Sequence, residues 1–384
     1  MKVLIVYPRM YLYGGAELLI VRLANHLTRV KIRNALLTEM ILPEIERDLL
    51  DTQIITCPVS ASENDTQPLS PLRTLWFLYG GVRKHGKRFD LINVHNYPAE
   101  LLAFGQNKPV VWMCNEPPEV AVNVRVQDLP ACNPKRLLFD ALLCFDRYVV
   151  RRHIRSVVVA DSFNEARFRR IYGFTPHIIN YGIDCDYFAT PVKTAAKKAK
   201  GSFTMLHVGM QTPMKNQMES VLTLERLQNR IPGIRLILAG QGQPRYLGLL
   251  KRVIHEKGLE GRVQFTGHVD REQIRRLYHT CDVLLHPIKA QGGWLSPFEA
   301  VSAGLPVVVS REMTAADIIK EEDLGLVTDD FAAGVADVYL NRGKYVKAAV
   351  GRAEWVRDHL SWDIFSEKML SIFKDVSLEK GVKG

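Results

Sequence analysis

Apolar runs of four to six residues alternate along this chain with longer segments whose apolar positions recur every three or four residues. The runs predict buried strands of a parallel sheet, and the periodic segments predict helices covering its faces. In the first half the runs fall at 2–7 (K-V-L-I-V-Y), 34–37, 90–95, 110–114 and 156–160. Residues 16–27 read as a helix, 137–154 as an apolar helix, and 164–172 as a short helix opened by Asp161 and Ser162 and closed by Gly173. The alternation then stops. Residues 189–202 (A-T-P-V-K-T-A-A-K-K-A-K-G-S) have no apolar period and four lysines, so they cannot bury a face and read as a linker.

A second set follows, with strands at 203–208, 235–239, 263–265, 283–285 and 307–309 and helices at 217–228, 246–257, 271–278 and 297–303. The last segment, 361–376, puts Ile364, Phe365, Met369, Ile372 and Phe373 on one side. The fold class expected is therefore α/β, with two doubly wound, Rossmann-like domains. Their bounds are set at 1–188 and 203–360, joined by 189–202, with 361–384 as a terminal helix. A length of 384 residues suits two domains that each bury a core.

Composition narrows the class. The chain is 47% hydrophobic and 24% charged, in the range of a soluble globular protein. No apolar run reaches the roughly 18 residues of a membrane span, and the first strand begins at the initiator Met without a signal-peptide pattern, so a cytoplasmic location is expected. Six scattered cysteines form no C-x-x-C pair, which argues against a zinc site or a disulfide framework. The net charge of +10 is uneven: +4 in residues 1–190, +4 in 191–201 and +2 in 202–384. Arg125, Lys135, Arg136, Arg147, Arg151, Arg152 and Arg155 surround the 137–154 helix, which carries Phe139, Phe145 and Tyr148. Such a helix either lies on an anionic membrane surface or packs with a solvated basic face. Nucleic acid is not an expected partner, because the basic residues are dispersed and no recognition motif is present.

Three places carry candidate chemistry. Gly14, Gly15, Ala16 and Glu17 form a G-G-x-E turn between the first strand and its helix, where backbone N–H groups can meet an anion or a sugar hydroxyl. The same residues also make an ordinary tight turn with a dipole-stabilising glutamate. A dinucleotide dehydrogenase would need G-x-G-x-x-G there, and that spacing is absent. Residues 291–306, Q-G-G-W-L-S-P-F-E-A-V-S-A-G-L-P, lead a glycine turn into a helix start, a phosphate-binding arrangement, with Glu299 able to grip ribose hydroxyls. Lys215 follows the glycine at position 209 that ends a strand.

These motifs resemble glycosyltransferase family 4, the retaining group 1 glycosyltransferases of GT-B fold. Residues 291–306 are similar to the family's E-G-F-G-L-x-x-x-E-A-x-A-x-G-x-P-V, with Glu299 on the second glutamate, Ala300, Ala303, Gly304, Pro306 and Val307 in step, and Gln291 in place of the first glutamate. G-M-Q-T-P-M-K-N from Gly209 resembles G-R-x-x-x-x-K-G, with Lys215 matching and Met210 replacing the arginine. I-I-N-Y-G-I-D-C-D-Y-F, L-I-L-A-G-Q-G and G-R-V-Q-F-T-G-H-V follow in the family's order, so the resemblance covers nearly the whole chain. Asn115, in V-V-W-M-C-N-E-P-P, stands where the family often has a histidine, and His95 is a nearby imidazole at a strand end.

The resemblance implies two domains facing a cleft that closes on the donor, with the terminal helix crossing back onto the first. It implies transfer of a hexose from a UDP- or GDP-sugar to a saccharide or lipid-linked acceptor, in the cytoplasm or at the inner face of the membrane. Gly14 and Gly15 would meet the donor's phosphate and sugar. Gly209 and Lys215 would meet the diphosphate, with Lys215 the main electrostatic catalyst. Gly267 and His268 would lie at the base, Gly292, Gly293, Trp294, Leu295 and Ser296 at the phosphate and sugar, and Glu299 at the ribose. Gln291, Asn115 and His95 complete the catalytic candidates. No metal is expected, since Lys215 and helix termini can take that role. Gln291 supplies no carboxylate nucleophile, which points to a same-face mechanism in which the leaving phosphate takes the acceptor's proton. The three substitutions also leave a second reading, a GT-B scaffold that has lost catalysis and binds a nucleotide-sugar or a partner protein.

Overall fold

The computed structural model describes residues 1–11, 13–56, 70–118, 133–191, 201–289 and 294–378. The chain divides into two compact units: Met1–Tyr181 with Trp362–Gly384, and Gly182–Ser361. The division falls at Tyr181, ahead of the 188 boundary read from composition, because the short helix Cys185–Ala189 packs with Leu295–Ser302 in the second unit. Most of the expected linker, 192–200, lies outside the described residues.

Unit one is built on a seven-stranded parallel sheet in the order β3-β2-β1-β4-β5-β6-β7. The strands are β1 Lys2–Val6, β2 Arg33–Thr38, β3 Gln53–Thr56, β4 Leu91–His95, β5 Val110–Met113, β6 Ser156–Val159 and β7 His177–Ile178. β4 and β5 are buried at every position, which is why they read as continuous apolar runs rather than alternating ones. Asp161 caps the helix Ser162–Tyr172 through the Asn164 N–H at 2.8 Å, and Gly173 closes it in the left-handed conformation. The terminal helix Trp362–Leu378 buries Phe365, Met369, Ile372 and Phe373 and packs on Gly15–Arg29. Asp363 meets Arg29 at 3.3 Å within the same unit.

Unit two repeats the pattern with six parallel strands in the order β10-β9-β8-β11-β12-β13. They are β8 Phe203–Val208, β9 Ile234–Ala239, β10 Val263–Gly267, β11 Val283–His286, β12 Val307–Val309 and β13 Leu326–Val327. Both sheets reverse direction beside their first strand, at β1/β4 and β8/β11. In open sheets of this kind ligands bind beyond the carboxyl ends of the strands at that reversal. No helix among the described residues is long and apolar enough to cross a membrane.

Candidate functional site

In unit two the turn from Gly209 to Asn216 lies at the switch point, between the ends of β8 and β11. β8 ends at Gly209, whose φ of +148° lies in a region that favours glycine. The chain then runs beside the end of β9: the Gly209 N–H donates to Ala239 O at 2.9 Å and the Gln211 N–H to Gln241 O at 2.7 Å. The buried Gln211 amide donates back to Gly240 O at 3.0 Å. Lys215 follows in a turn closed by its own N–H on Thr212 O at 3.1 Å, and its stem lies 3.8 Å from where a Gly209 Cβ would stand. That distance is an ordinary van der Waals contact, so it is the backbone conformation at Gly209, not space for the lysine, that calls for glycine. Asn216 takes a left-handed φ of +57° and donates to Pro287 O at 2.8 Å, tying this turn to the end of β11.

Gly240 was not among the expected site residues, yet it sets this geometry. A Cβ there would lie 2.3 Å from Gly209 O, and its φ is +138°. Gly240→Ala is therefore expected to destabilise unit two by about 2 kcal/mol or more and to displace the Gly209 turn. Thermal unfolding together with nucleotide titration checks this; an unchanged midpoint with full affinity would contradict it. Below the turn, His207 and His286 are fully buried, and burial drives the His207 pKa down to about 3. His207 Nδ1 meets Ser220 Oγ at 2.8 Å.

Ala290, Gln291, Gly292 and Gly293 lie outside the described residues. Trp294 is buried against Phe298, with ring centroids 4.5 Å apart, and the helix Leu295–Ser302 begins immediately after it. That helix ends in a Schellman stop: Gly304, at φ +76°, donates to Val301 O, and Leu305 donates to Ala300 O, both at 2.9 Å. The small-residue run A-V-S-A-G-L-P is thus a helix end, a turn and the entry to β12. Glu299 is half-buried and accepts the Tyr278 hydroxyl on Oε2 at 2.8 Å. Ser296 also hydrogen-bonds that tyrosine. Burial pushes the Glu299 carboxyl up to about 7, against the hydrogen bond from Tyr278 and the nearby Arg271, which lower it. Gly267 sits at the end of edge strand β10 at φ +69° and accepts the Gly240 N–H at 3.0 Å, and His268 beside it is exposed.

In unit one, Gly14 caps the helix Gly15–Arg29, and Gly15 is exposed. Glu17 faces inward instead of into solvent. Its carboxylate accepts the Gly14 N–H at 3.2 Å and the Tyr7 hydroxyl at 3.0 Å, and burial raises its pKa. Asn115, just past β5, accepts the Tyr181 hydroxyl at 2.7 Å and donates to Asn96 Oδ1. His95 does not join them. It is sealed inside the sheet with Nε2 on Asn93 Oδ1 at 2.6 Å, and burial drives its pKa down to about 3. Its imidazole is enclosed and held neutral by burial, apart from the hydrogen-bonded group around Asn115. Among the described residues no cluster of three or more His, Cys, Asp or Glu could hold a metal ion.

Comparison with known proteins bears on the family and the fold. The family described as glycosyltransferase family 4 matches residues 13–187, and that described as glycosyl transferases group 1 matches residues 191–350. The chain belongs to this glycosyltransferase family and has the GT-B fold. It is 24% identical over 237 residues to the GDP-mannose-dependent alpha-(1-6)-phosphatidylinositol monomannoside mannosyltransferase of Mycobacterium tuberculosis, a match covering 57% of this chain and 61% of that one. The chain thus spans about six-tenths of the length of such curated relatives. A longer match, 21% identical over 94% of this chain and 91% of the other, is to the D-inositol 3-phosphate glycosyltransferase of Jonesia denitrificans. Among solved structures, Anabaena HepE in complex with UDP and glucose superposes with a TM-score of 0.77 at 18% identity, over 98% of this chain and 100% of that one. WaaG, a glycosyltransferase involved in lipopolysaccharide biosynthesis, gives 0.74 at 17% identity, over 96% and 99%.

Proposed function

We propose that this protein is a retaining glycosyltransferase that moves a hexose from a nucleoside diphosphate sugar to a saccharide or lipid-linked acceptor. The observation that carries the reading is the convergence of Gly209, Lys215 and the β11 end at one switch point, with Glu299 in the same unit on the helix that follows the Trp294 turn. Lys215 faces the departing diphosphate and Glu299 the ribose. Gly267 and His268 lie at the base, and the 292–296 segment at the phosphate and donor sugar. In unit one, the turn at Gly14 and Gly15 and the Asn115 amide are suited to hydrogen-bond a sugar hydroxyl or an anion. An amide at Asn115 or Gln291 hydrogen-bonds a hydroxyl but takes no proton at neutral pH. The reaction therefore runs on one face: the bond from the sugar's C1 to the phosphate oxygen breaks, the acceptor oxygen bonds C1, and the acceptor's proton passes to the leaving phosphate. Lys215 and backbone N–H groups stabilise that charge, and no metal is required.

Structural relatives named with UDP or UDP-glucose and sequence relatives named for GDP-mannose support a UDP- or GDP-sugar donor. Calorimetry with UDP, GDP, ADP and their sugar conjugates tests the reading. One nucleotide class should bind at micromolar Kd, and no binding by folded protein would overturn it.

A membrane-held acceptor has a specific support. The helix Pro134–His153 leaves Leu137, Leu138, Leu142, Phe145 and Tyr148 exposed, Leu138 at 61%, beside exposed Arg147, Arg151 and Arg152. Phe104, also exposed, meets Phe145 edge to face at 5.4 Å and extends the apolar surface. Arg125 and the Lys135 side chain lie outside what is described. An apolar stripe with a cationic flank suits the inner, anionic face of a cytoplasmic membrane. Sedimentation with phosphatidylglycerol vesicles is expected to show binding that falls about tenfold in Leu138→Glu/Leu142→Glu. Equal partition of wild type and variant would contradict it.

A further inference from the structure

In unit one the ends of β1, β4 and β5 carry a chain of side-chain hydrogen bonds that no strand geometry requires. The Tyr181 hydroxyl donates to Asn115 Oδ1 at 2.7 Å, and Asn115 Nδ2 donates to Asn96 Oδ1. Asn96 Nδ2 donates to the Tyr7 hydroxyl at 3.3 Å, and that hydroxyl donates to Glu17 Oε1 at 3.0 Å. The other Glu17 oxygen accepts the Gly14 N–H at 3.2 Å, so the chain joins the glycine turn to Asn115 across the sheet's switch point. Tyr7 and Glu17 are buried, while Asn96, Asn115 and Tyr181 are half-buried. Asn96 is held at a left-handed φ of +62°, a conformation that asparagine tolerates better than most residues.

Every donor in this chain points the same way, and its end explains why. An ionised carboxylate only accepts, so Tyr7 must give its proton to Glu17 and offer its oxygen lone pairs to Asn96 Nδ2. Asn96 then turns Oδ1 towards Asn115, which must answer with Nδ2 and show Oδ1 to Tyr181. Without the anion either asparagine amide could flip at little cost. We propose that Glu17, Tyr7 and Asn96 are positioning residues that fix the orientation of the Asn115 amide and so present its second N–H to a sugar hydroxyl. Such aligned bonds polarise one another in a low-dielectric setting, which strengthens the fixed orientation. The functional half of this proposal rests on the transferase reading; the structural half does not.

Two measurements on the full-length protein test it. Kinetically, Tyr7→Phe and Glu17→Gln are each expected to lower kcat about tenfold with KM for the donor and the unfolding midpoint little changed. On an Asn115→Ala background both should cost less than twofold, because they act through Asn115. Equal losses in both backgrounds would overturn the proposal. Spectroscopically, in protein labelled with 15N-asparagine, the Asn115 side-chain amide signal, assigned by its loss in Asn115→Ala, is expected to move in Tyr7→Phe, although two hydrogen bonds separate the residues. An unmoved signal would overturn the orienting chain. If wild type proves unable to transfer any sugar, the transferase reading fails, and the amide signal still decides whether the chain orients Asn115.

Discussion

Lys215→Ala is expected to lower the transfer rate by about 10²- to 10³-fold, the usual cost of removing one preorganised charge or donor from a developing anion. Breaking the bond between C1 and the phosphate oxygen leaves negative charge on the diphosphate, and Lys215 is the cation held at the β8 end where that charge should form. Its turn is fixed by Thr212 and follows directly on Gly209, whose φ of +148° sets the direction in which the chain leaves β8. Met210 occupies the place where the resembled family has an arginine, so no guanidinium is supplied from that position. Donor affinity should fall less than the rate, because the diphosphate already bears charge before the bond breaks. Rates in single turnover and calorimetric Kd values on the same variant separate the two. Loss confined to Kd, with full single-turnover rate at saturation, would assign Lys215 to binding alone.

Glu299 gives the second large effect, in two directions. A ribose gripped by a carboxylate through charged hydrogen bonds loses about 1.5–3 kcal/mol when that carboxylate is removed, so Glu299→Ala should weaken nucleotide binding by about 10- to 100-fold. Because burial lifts this carboxyl to about 7, the ionised form becomes available only as pH rises through that value, and nucleotide affinity should increase between pH 6 and 8. Glu299→Gln should lose that pH dependence. Stability runs the other way. The folded pKa of about 7 exceeds the ordinary 4.5, so between these values the folded state holds a proton that the unfolded state has released. Stability therefore falls as pH rises across this window. Glu299→Gln should raise the unfolding midpoint of unit two at pH 8, by a difference worth roughly 2–3 kcal/mol, and leave it unchanged near pH 4. Equal midpoints at both pH values would show that the carboxyl titrates normally.

The sheets were legible because fully buried parallel strands leave unbroken apolar runs: β8 and β12 match the reading residue for residue. β7 and β13, two residues each, are too short to carry a period. The long helix Arg342–His359 gave no signal because only Tyr345 and Val356 are buried in it, while Val346 and Val350 are exposed, so no stripe repeats. In the candidate site, local structure was legible where it follows from local spacing, as in the strand end at Gly209 and the helix that follows Trp294. The rest was hidden where partners come from distant strands. Asn96 meets Tyr7 from 89 residues away, and Gly240 matters only because Gly209 O stands against it. The surroundings of His95 were hidden for the same reason: a strand-end histidine does not show in the sequence that Asn93 binds it and that it is fully buried.

Nucleotide-sugar-dependent transfer is tested by proton NMR of the protein with UDP- and GDP-hexoses and a panel of saccharide and lipid-linked acceptors. The expected result is acceptor-dependent release of one nucleoside diphosphate, with the product's anomeric signal keeping the donor's configuration. A donor that binds at Glu299 yet stays intact with every acceptor would contradict such transfer and mark the chain as a binding scaffold; an inverted anomeric signal would contradict the same-face mechanism.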